Sequence, residues 1–333
     1  MWMKKHLAPL VILAVAIILP FIFRDAYSRQ LLVLICVYAA LALSLDIIIG
    51  YMGQISLGHI AFFGIGAYTS ALLSLKLGMP VWLGWLAAIV CGGIIGYIIG
   101  YVSLRRTRGV SLAIVTFGVG FVIYLVSQNW YQLTNGFEGL IGIPSPVLAI
   151  PGLPRFTFES SFSYYYLVLA ILVFTVYLIS AVLRSRFGRA VVALRENEEL
   201  ASSVGINAFN YYVLAFTLAS ALAALVGATY GHYVRIVTPR LLGMDYMLML
   251  LIMVVVGGKG TLAGPILGAA IFILVPEWLR MTAQLRLVLL GGIFLVCIIF
   301  MPQGIYPALV SLFKRASLSG RLWLSKVGGG KTF

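Results

Sequence analysis

A charged segment between two apolar runs holds much of the chemistry that this sequence offers. The chain has 333 residues, of which 62% are hydrophobic and only 10% are charged. In so apolar a chain, charges gather in one place only where that place leaves a membrane, because burying ions in lipid is costly. The segment runs from Arg184 to Asn207, and we call it the charged island. Its charged residues are Arg184, Arg186, Arg189, Arg195, Glu196, Glu198 and Glu199.

Guanidinium and carboxylate groups at this density suit recognition of a partner, and the island has the spacing of a single helix. Val191, Leu194, Ala201 and Val204 fall on one apolar face, and Gly205 suits the helix end. An amphipathic helix of this kind lies on lipid headgroups or docks into another protein. The three glutamates disfavour anionic lipid, so the sequence favours a protein partner.

Asp46 is a second chemically capable residue, because it lies inside an apolar run. A carboxylate there is costly unless it is paired, protonated or hydrated. Asp46 therefore either lines a translocation path or accepts hydrogen bonds between helices. Small and polar residues near it, and in a later glycine-rich segment, either mark the same path or allow tight helix packing. The path candidates are Asp46, Gln54, Ser56, His59, Thr69, Gly257, Gly258, Gly260 and Thr261.

Two glycine-rich motifs repeat one pattern in the two halves of the chain. GYMGQIS occupies Gly50–Ser56, and GGKGTLA occupies Gly257–Ala263. Each motif joins the end of one apolar run to the start of the next. Transporters built from two structural repeats break their helices at matching positions, where freed backbone groups line a cavity. The pattern favours two pseudo-repeated halves. The alternative is that the two motifs match by chance, because the chain contains 35 glycines.

The sequence excludes several other kinds of site. The segment GGGKTF resembles the end of a phosphate-binding loop, but Ser325 stands where that motif requires its first glycine. No nucleophile elbow of the form G-x-S-x-G occurs. The net charge of +14 comes from basic residues beside apolar runs, so we expect membrane topology and no nucleic acid. Possible metal ligands lie far apart or inside apolar runs: His6, His59, His232, Cys36, Cys91 and Cys297.

Apolar runs of about 17–25 residues are long enough to cross a bilayer as helices. We predict an all-α polytopic membrane protein with about ten spans, and between eight and ten because two runs are short. The short runs, 244–257 and 262–280, are joined through glycines and are candidates for parts of broken helices. The predicted spans are 7–23, 30–50, 56–77, 81–102, 110–130, 163–183, 207–231, 244–257, 262–280 and 286–306.

Alternation of these spans divides the basic residues unequally between the two faces. With the N-terminus in the cytoplasm, 15 Lys and Arg residues lie on the cytoplasmic face and 8 on the opposite face. The positive-inside rule therefore predicts that both termini lie inside. It places the loop 184–206 and the basic tail 312–333 in the cytoplasm, and the proline-containing loop 131–162 outside. No long polar block is present, so residues 1–333 are predicted to form a single membrane domain.

Four of these segments, in this order, resemble the LivM-type permeases of branched-chain amino acid ABC importers. The segments are GYMGQISLGHIAFFGIGAYTSALL, NWYQLTNGFEGLIGIP, SRFGRAVVALRENEELASSVGIN and MVVVGGKGTLAGPILGA. The resemblance covers about residues 30–310. It implies an inner-membrane permease that moves branched-chain amino acids. Permeases for urea and short amides are similar, and an ATP-independent secondary transporter or a membrane scaffold are the alternatives from other classes.

The resemblance also assigns a role to the island. ABC importer permeases carry a cytoplasmic coupling motif, E-A-A-x-x-x-G, which maps here onto Glu199, Leu200, Ala201 and Gly205, with Leu200 departing from alanine. The implied partners are two ATPase subunits, a second permease and a periplasmic binding protein. The chain itself would be no enzyme and would need no cofactor. The coupling candidates are Arg195, Glu196, Glu198, Glu199, Ala201 and Gly205.

Overall fold

A computed structural model describes residues 13–23, 25–148, 156–278 and 304–311, together with positions 291, 292, 295 and 299. Helices dominate the described part, as the apolar runs predict. In chain order they are α1 (Leu13–Ile22), α2 (Ala26–Asp46), a π-helical turn (Ile47–Tyr51), α3 (His59–Lys76), α4 (Val81–Leu104), α5 (Gly109–Asn129), α6 (Tyr131–Thr134), α7 (Ser161–Arg184), α8 (Arg186–Glu196), α9 (Glu198–Ser203), α10 (Ala208–Val234), α11 (Met244–Gly257) and α12 (Ala263–Trp278).

Five helices in the described part are long and apolar enough to cross a membrane: α2 with its π-helical turn, α4, α5, α7 and α10. Most of α2 and α10 is buried, and these two helices form the centre of the bundle. Only 33%, 22% and 28% of the apolar windows of α4, α5 and α7 are buried, and these helices carry large apolar side chains that face outward. An outward apolar surface on long helices fits a lipid environment, so the chain is a multi-pass helical membrane protein.

The predicted helix positions agree with the structure wherever it describes them. The predicted run 81–102 becomes α4, and 163–183 becomes α7, each within two residues at either end. The start of the first predicted span, most of the tenth span (286–306) and the basic tail 312–333 lie outside the described residues. Cys297 also lies outside them, and no group of three metal-ligating side chains occurs in the described part.

Glycines allow α3 and α10 to cross in direct backbone contact. A Cβ atom at Gly66 would overlap the carbonyl of Ala224, and one at Gly227 would overlap the carbonyl of Phe63. The two contacts are reciprocal, because each helix contributes one glycine and one carbonyl. Small residues at helix interfaces permit such close approach in membranes, where packing replaces the hydrophobic effect as the driving force. This crossing fixes the position of α3.

A row of glycines on α4 also makes a close contact with α10. Gly92, Gly96 and Gly100 are spaced four residues apart, which places them on one helix face. Their missing side chains leave room for α10 residues. The α10 neighbours, from one end of the row to the other, are Ala224, Ser220 and Phe216.

The end of the bundle opposite the island carries short strands, which the all-α prediction did not include. Strand β1 (Leu140–Ile141) pairs antiparallel with β4 (Ile236–Val237). Strand β2 (Val147–Leu148) pairs in the same sense with β3 (Phe156–Thr157). Each strand has two residues. The strand pairs satisfy backbone N–H and C=O groups where the chain leaves the helices. We call this end of the bundle the loop end, and the other the island end.

The two short apolar runs form a helical hairpin. Helix α11 has 14 residues and α12 has 16, which gives lengths of about 21 Å and 24 Å at 1.5 Å per residue. Both are shorter than the hydrocarbon core of about 30 Å. They pack against each other and against α2. A Cβ at Gly257 would overlap the carbonyl of Gly264, so these glycines set the close packing of the hairpin.

The island contains two helices, so the prediction of a single helix was wrong. Helix α8 ends at Glu196, and Asn197 has extended backbone angles, φ −158° and ψ 105°. The Asn197 side chain then caps α9 by accepting a hydrogen bond from the Leu200 N–H at 2.9 Å. Asparagine is a strong N-cap residue, because its side-chain oxygen satisfies an N–H that lacks a partner in the helix. The new cap turns α9 away from the line of α8.

The break also changes which island residues are buried. Val191, Leu194 and Ala201 are buried against the bundle, so the expectation that this apolar face docks on lipid headgroups or on another protein was wrong. Val204 is 73% exposed, so its predicted place on the same face as these three residues was also wrong. Gly205 ends the segment with φ +91°, a conformation that glycine adopts without strain.

Candidate functional site

The two glycine motifs meet at the island end of the bundle, beside Asp46. The Gly260 N–H donates to both carboxylate oxygens of Asp46, at 2.8 Å and 3.1 Å. Asp46 is fully buried at the end of α2, and Gly260 follows α11. A Cβ at Gly50 would overlap the Asp46 carboxylate and the Gly260 nitrogen, so only glycine fits between them. Asp46 thus accepts the hydrogen bond that joins two distant helices.

Arg195 connects the island to the same place. Its Nη1 donates to the Gly50 carbonyl oxygen at 2.7 Å, and its other nitrogens pair with the adjacent Glu196 carboxylate. The Arg195 stem lies over Gly53, where a Cβ would come within 2.6 Å of the Arg195 Cγ. Asp46, Gly50, Gly53, Arg195 and Gly260 therefore form one connected unit, which we call the glycine clasp.

The two motifs have matching backbone geometry within the glycine clasp. Gly53 and Gly260 hold the same place in the pattern, and their φ angles are +72° and +73°. Both angles lie in the left-handed region that favours glycine. A helix begins after each motif, α3 at His59 and α12 at Ala263. The shared pattern in the sequence therefore corresponds to a shared turn in the structure.

A second set of contacts ties the other island helix to the bundle. Glu198, at the start of α9, pairs with Arg108 in the α4–α5 loop at 3.4 Å. Its second oxygen accepts from the Tyr212 hydroxyl at 3.3 Å, and the Arg108 guanidinium lies over the Tyr212 ring at 5.0 Å. Beside them, the Gly109 N–H donates to Gln54 Oε1 at 2.7 Å. Glu198 thereby joins the island to the α4–α5 loop and to α10, and the Gly109–Gln54 bond joins the start of α5 to the segment before α3.

Ser56, His59 and Thr69 lie apart from the glycine clasp, whereas Thr261 directly follows Gly260 and its backbone hydrogen-bonds to Asp46. Ser56 and His59 are fully buried near the start of α3, and His59 Nε2 contacts Ser44 Oγ at 2.9 Å. Ser56 Oγ has no hydrogen-bond partner among the described residues. Thr69 is half-buried and lies ten residues beyond His59, about 15 Å along the helix. Thr261 caps α12 by accepting from the Gly264 N–H at 3.0 Å, which is a structural role.

The opposite face of α9 carries apolar side chains that none of the described residues covers. Leu200 is 65% exposed and lies four residues before the exposed Val204, so the two share one side of the α9 turn. Glu196 and Glu199 are also exposed. The island thus has one face fastened to the bundle and one face that is apolar and acidic. Such a face suits a protein partner, although it is not the face that the apolar spacing in the sequence indicated.

A cavity of about 750 Å³ opens between α3, α5, the 3₁₀ helix Pro239–Leu242 and the start of α11. None of the nine path candidates lines it, although all nine are among the described residues. Apolar side chains form most of the wall, and several polar side chains stand towards the loop end. The wall includes the side chains of Leu57, Ile60, Phe117, Phe121, Gln128, Thr238, Arg240, Asp245 and Met247.

Sequence reasoning missed Arg108 and Tyr212 as attachments of the island, and Arg240 and Asp245 as cavity residues. The sequence offered a signal for Arg108, because this residue precedes a predicted span and lies beside two other arginines. It also offered a signal for Arg240 and Asp245, since these opposite charges, five residues apart, lie between two apolar runs. Tyr212 had none, because a tyrosine near a helix start is ordinary at a membrane interface.

The clasp predicts how Asp46 substitutions behave. Asp46→Ala leaves the buried Gly260 N–H without its acceptor, a cost of about 1–3 kcal/mol, and should lower both thermal stability and uptake. Asp46→Asn keeps one acceptor oxygen and should retain uptake within about threefold. Uptake by reconstituted transporter and the unfolding temperature in detergent measure both effects. A folded Asp46→Asn protein as inactive as Asp46→Ala would show instead that the charge is required.

Comparisons with known proteins agree on one kind of relative. A family model described as "Branched-chain amino acid transport system / permease component" matches residues 28–298. The high-affinity branched-chain amino acid transport system permease protein LivM of Escherichia coli (strain K12) is 31% identical, over 91% of this chain and 75% of the relative. LivM of Salmonella typhimurium is 30% identical over the same shares.

A second type of relative matches less closely. The permease protein LivH of Salmonella typhimurium is 28% identical, over 80% of this chain and 90% of the relative. Among solved structures, PsaBC from Streptococcus pneumoniae in complex with Fab aligns with a TM-score of 0.43 at 19% identity, over 82% of this chain and 91% of that chain. A structural likeness this low carries no argument.

Proposed function

Because this chain belongs to the family of branched-chain amino acid transport permeases, we propose that it is the membrane-spanning subunit of an ATP-driven importer for these amino acids. Residues 1–333 then form one permease domain in the bacterial inner membrane, with about ten spans in two pseudo-repeated halves. The chain supplies the path and the moving helices, and separate subunits hydrolyse ATP. Alternating access around a fixed site is the mechanism that broken helices and repeats support.

The basic residues support an orientation with both termini in the cytoplasm. The island end is then cytoplasmic, and the loop end faces the periplasm. The loop 131–162 would meet a periplasmic binding protein that delivers the amino acid. The island would meet one of two ATPase subunits. The names of the relatives, LivM and LivH, support pairing with a second and similar permease.

The two-sided attachment of the island is the observation that carries this proposal. On one side, Arg195 and Glu198 bind it to the π-helical turn after α2, the α4–α5 loop and α10. On the other side, Leu200 and Val204 are exposed beside acidic residues. A partner that moves this exposed face would pull on the central helices through the glycine clasp. The island is therefore placed to act as the lever between an ATPase and the bundle.

The geometry at Asp46 disfavours the alternative of an ATP-independent secondary transporter. That alternative uses Asp46 as a proton or ion site, which needs a carboxylate open to a pathway. Both Asp46 oxygens instead accept from the Gly260 N–H, and the residue is fully buried. The carboxylate is thus engaged in holding the two glycine motifs together.

Charged substitutions on the exposed island face test the proposal. The double change Leu200→Asp with Val204→Asp should reduce co-purification of the ATPase subunits at least about tenfold, because burying each of these apolar side chains contributes about 1.5–3 kcal/mol. Ser202→Asp with Ser203→Asp adds the same two negative charges to α9 at exposed sites and should retain the ATPase. Leucine uptake into liposomes by this chain alone, without ATP, would overturn the proposal.

A further inference from the structure

The cavity between α3, α5 and α11 has a polarity gradient. Phe117, Leu57, Ile60 and Met247 line its inner part, and none of them carries a polar side chain. At the loop end, its wall includes the polar side chains of Gln128, Thr238, Arg240 and Asp245. Helix α5 spans the whole wall: Phe117 and Gln128 are 11 residues apart, about 16 Å at 1.5 Å per residue.

The charged side chains of this wall are uncommitted. Among the described residues, neither the Arg240 guanidinium nor the Asp245 carboxylate has a hydrogen-bond or ion-pair partner. Other outward-pointing basic groups at the loop end are engaged: Arg235 donates to Ser145 Oγ at 2.7 Å, and Lys76 to the Gln132 carbonyl at 2.8 Å. An exposed guanidinium and carboxylate on one cavity wall offer partners for a carboxylate and an ammonium group.

We infer that this cavity receives a zwitterionic amino acid with an apolar side chain, with Arg240 binding the α-carboxylate and Asp245 the α-ammonium group. The apolar side chain points inward, towards Phe117 and Met247. The volume of about 750 Å³ lies within the range of small-molecule sites. This inference rests on the proposed function and adds to it the place where the amino acid enters this chain.

Protection of an engineered cysteine tests the site in the assembled transporter, without binding protein or nucleotide. Phe121→Cys places a thiol on the cavity wall, in a chain whose native cysteines are replaced by serine. Leucine should protect this thiol from N-ethylmaleimide. Val122→Cys is the control, because it is exposed on the same helix but does not line the cavity. Its labelling should not respond to leucine.

Analogues separate the two proposed contacts. Leucinamide lacks the carboxylate and 4-methylpentanoate lacks the ammonium group, and each should need at least about tenfold higher concentration to protect, since charge-assisted hydrogen bonds contribute about 1.5–3 kcal/mol. Arg240→Gln should weaken leucine to the level of leucinamide and leave leucinamide unchanged. Asp245→Asn should weaken leucine to the level of 4-methylpentanoate. Arg235→Gln, at the same end but bonded to Ser145, should change none of these values.

Several results would overturn the site. Equal protection by leucine and both analogues would remove the roles of Arg240 and Asp245. If leucine does not protect the thiol, the cavity is not an amino acid site. A Phe121→Cys thiol that never reacts would show that the second permease fills the groove. In each case, ATP-dependent leucine uptake by the same transporter would show that the proposed function stands without this site.

Discussion

Arg195→Ala is expected to lower the leucine taken up per ATP hydrolysed at least about tenfold, with the transporter still folded and assembled. The substitution removes the guanidinium that donates to the Gly50 carbonyl at 2.7 Å. A hydrogen bond from a charged group contributes about 1.5–3 kcal/mol, which corresponds to a factor of roughly ten or more. Without it, α8 can move without moving the segment that follows α2. ATP hydrolysis would continue, but less of the motion would reach the bundle.

Two further variants serve as controls for the Arg195→Ala experiment. Arg189→Ala removes the same charge from the same helix, but Arg189 bonds only to the Arg184 carbonyl within the island and should leave coupling unchanged. Arg195→Lys should fall between wild type and alanine, because one ammonium group cannot match the fork of a guanidinium that contacts Gly50 and Glu196 together. The measurement is uptake and ATPase activity in the same proteoliposomes. An unchanged ratio in Arg195→Ala would exclude the clasp as the route of coupling.

Gly227→Ala is expected to abolish accumulation of the folded protein. A single Cβ at this position would overlap the backbone carbonyl of Phe63, and backbone atoms cannot move aside as a flexible side chain does. Overpacking in a rigid core costs about 1–3 kcal/mol even where side chains can adjust. Here the α3–α10 crossing itself would have to open. The reciprocal contact between Gly66 and Ala224 would separate at the same time.

Gly118→Ala is the matched control for the crossing. Gly118 also lies within a long apolar helix, α5, but a Cβ there would meet nothing within 4 Å in the described structure. This variant should accumulate like wild type. Yield after size-exclusion chromatography and the unfolding temperature in detergent compare the two. Normal yield and stability of Gly227→Ala would show that α3 and α10 tolerate a wider separation than their packing indicates.

The island shows where sequence patterns predicted local structure and where they were misread. The apolar positions Val191, Leu194 and Ala201 correctly indicated that they share one face, but that face packs against the bundle and not against a partner. Asn197 carried a start signal that the apolar spacing concealed, because an asparagine followed by two glutamates is a typical beginning of a helix. The break after Glu196 was therefore predictable. The exposure of Val204 followed from that break and was missed with it.

The sequence by itself determined the helices, because a chain in lipid must satisfy its backbone groups internally and each long apolar run has one way to do so. It also predicted that the island leaves the membrane, from charge alone. Only the tertiary structure decided the glycine clasp, since Asp46 and Gly260 are 214 residues apart and Arg195 and Gly50 are 145 apart. Contacts at such separations depend on how α2, α8 and α11 pack. No local pattern in the sequence specifies that packing, and glycine only permits the close approach.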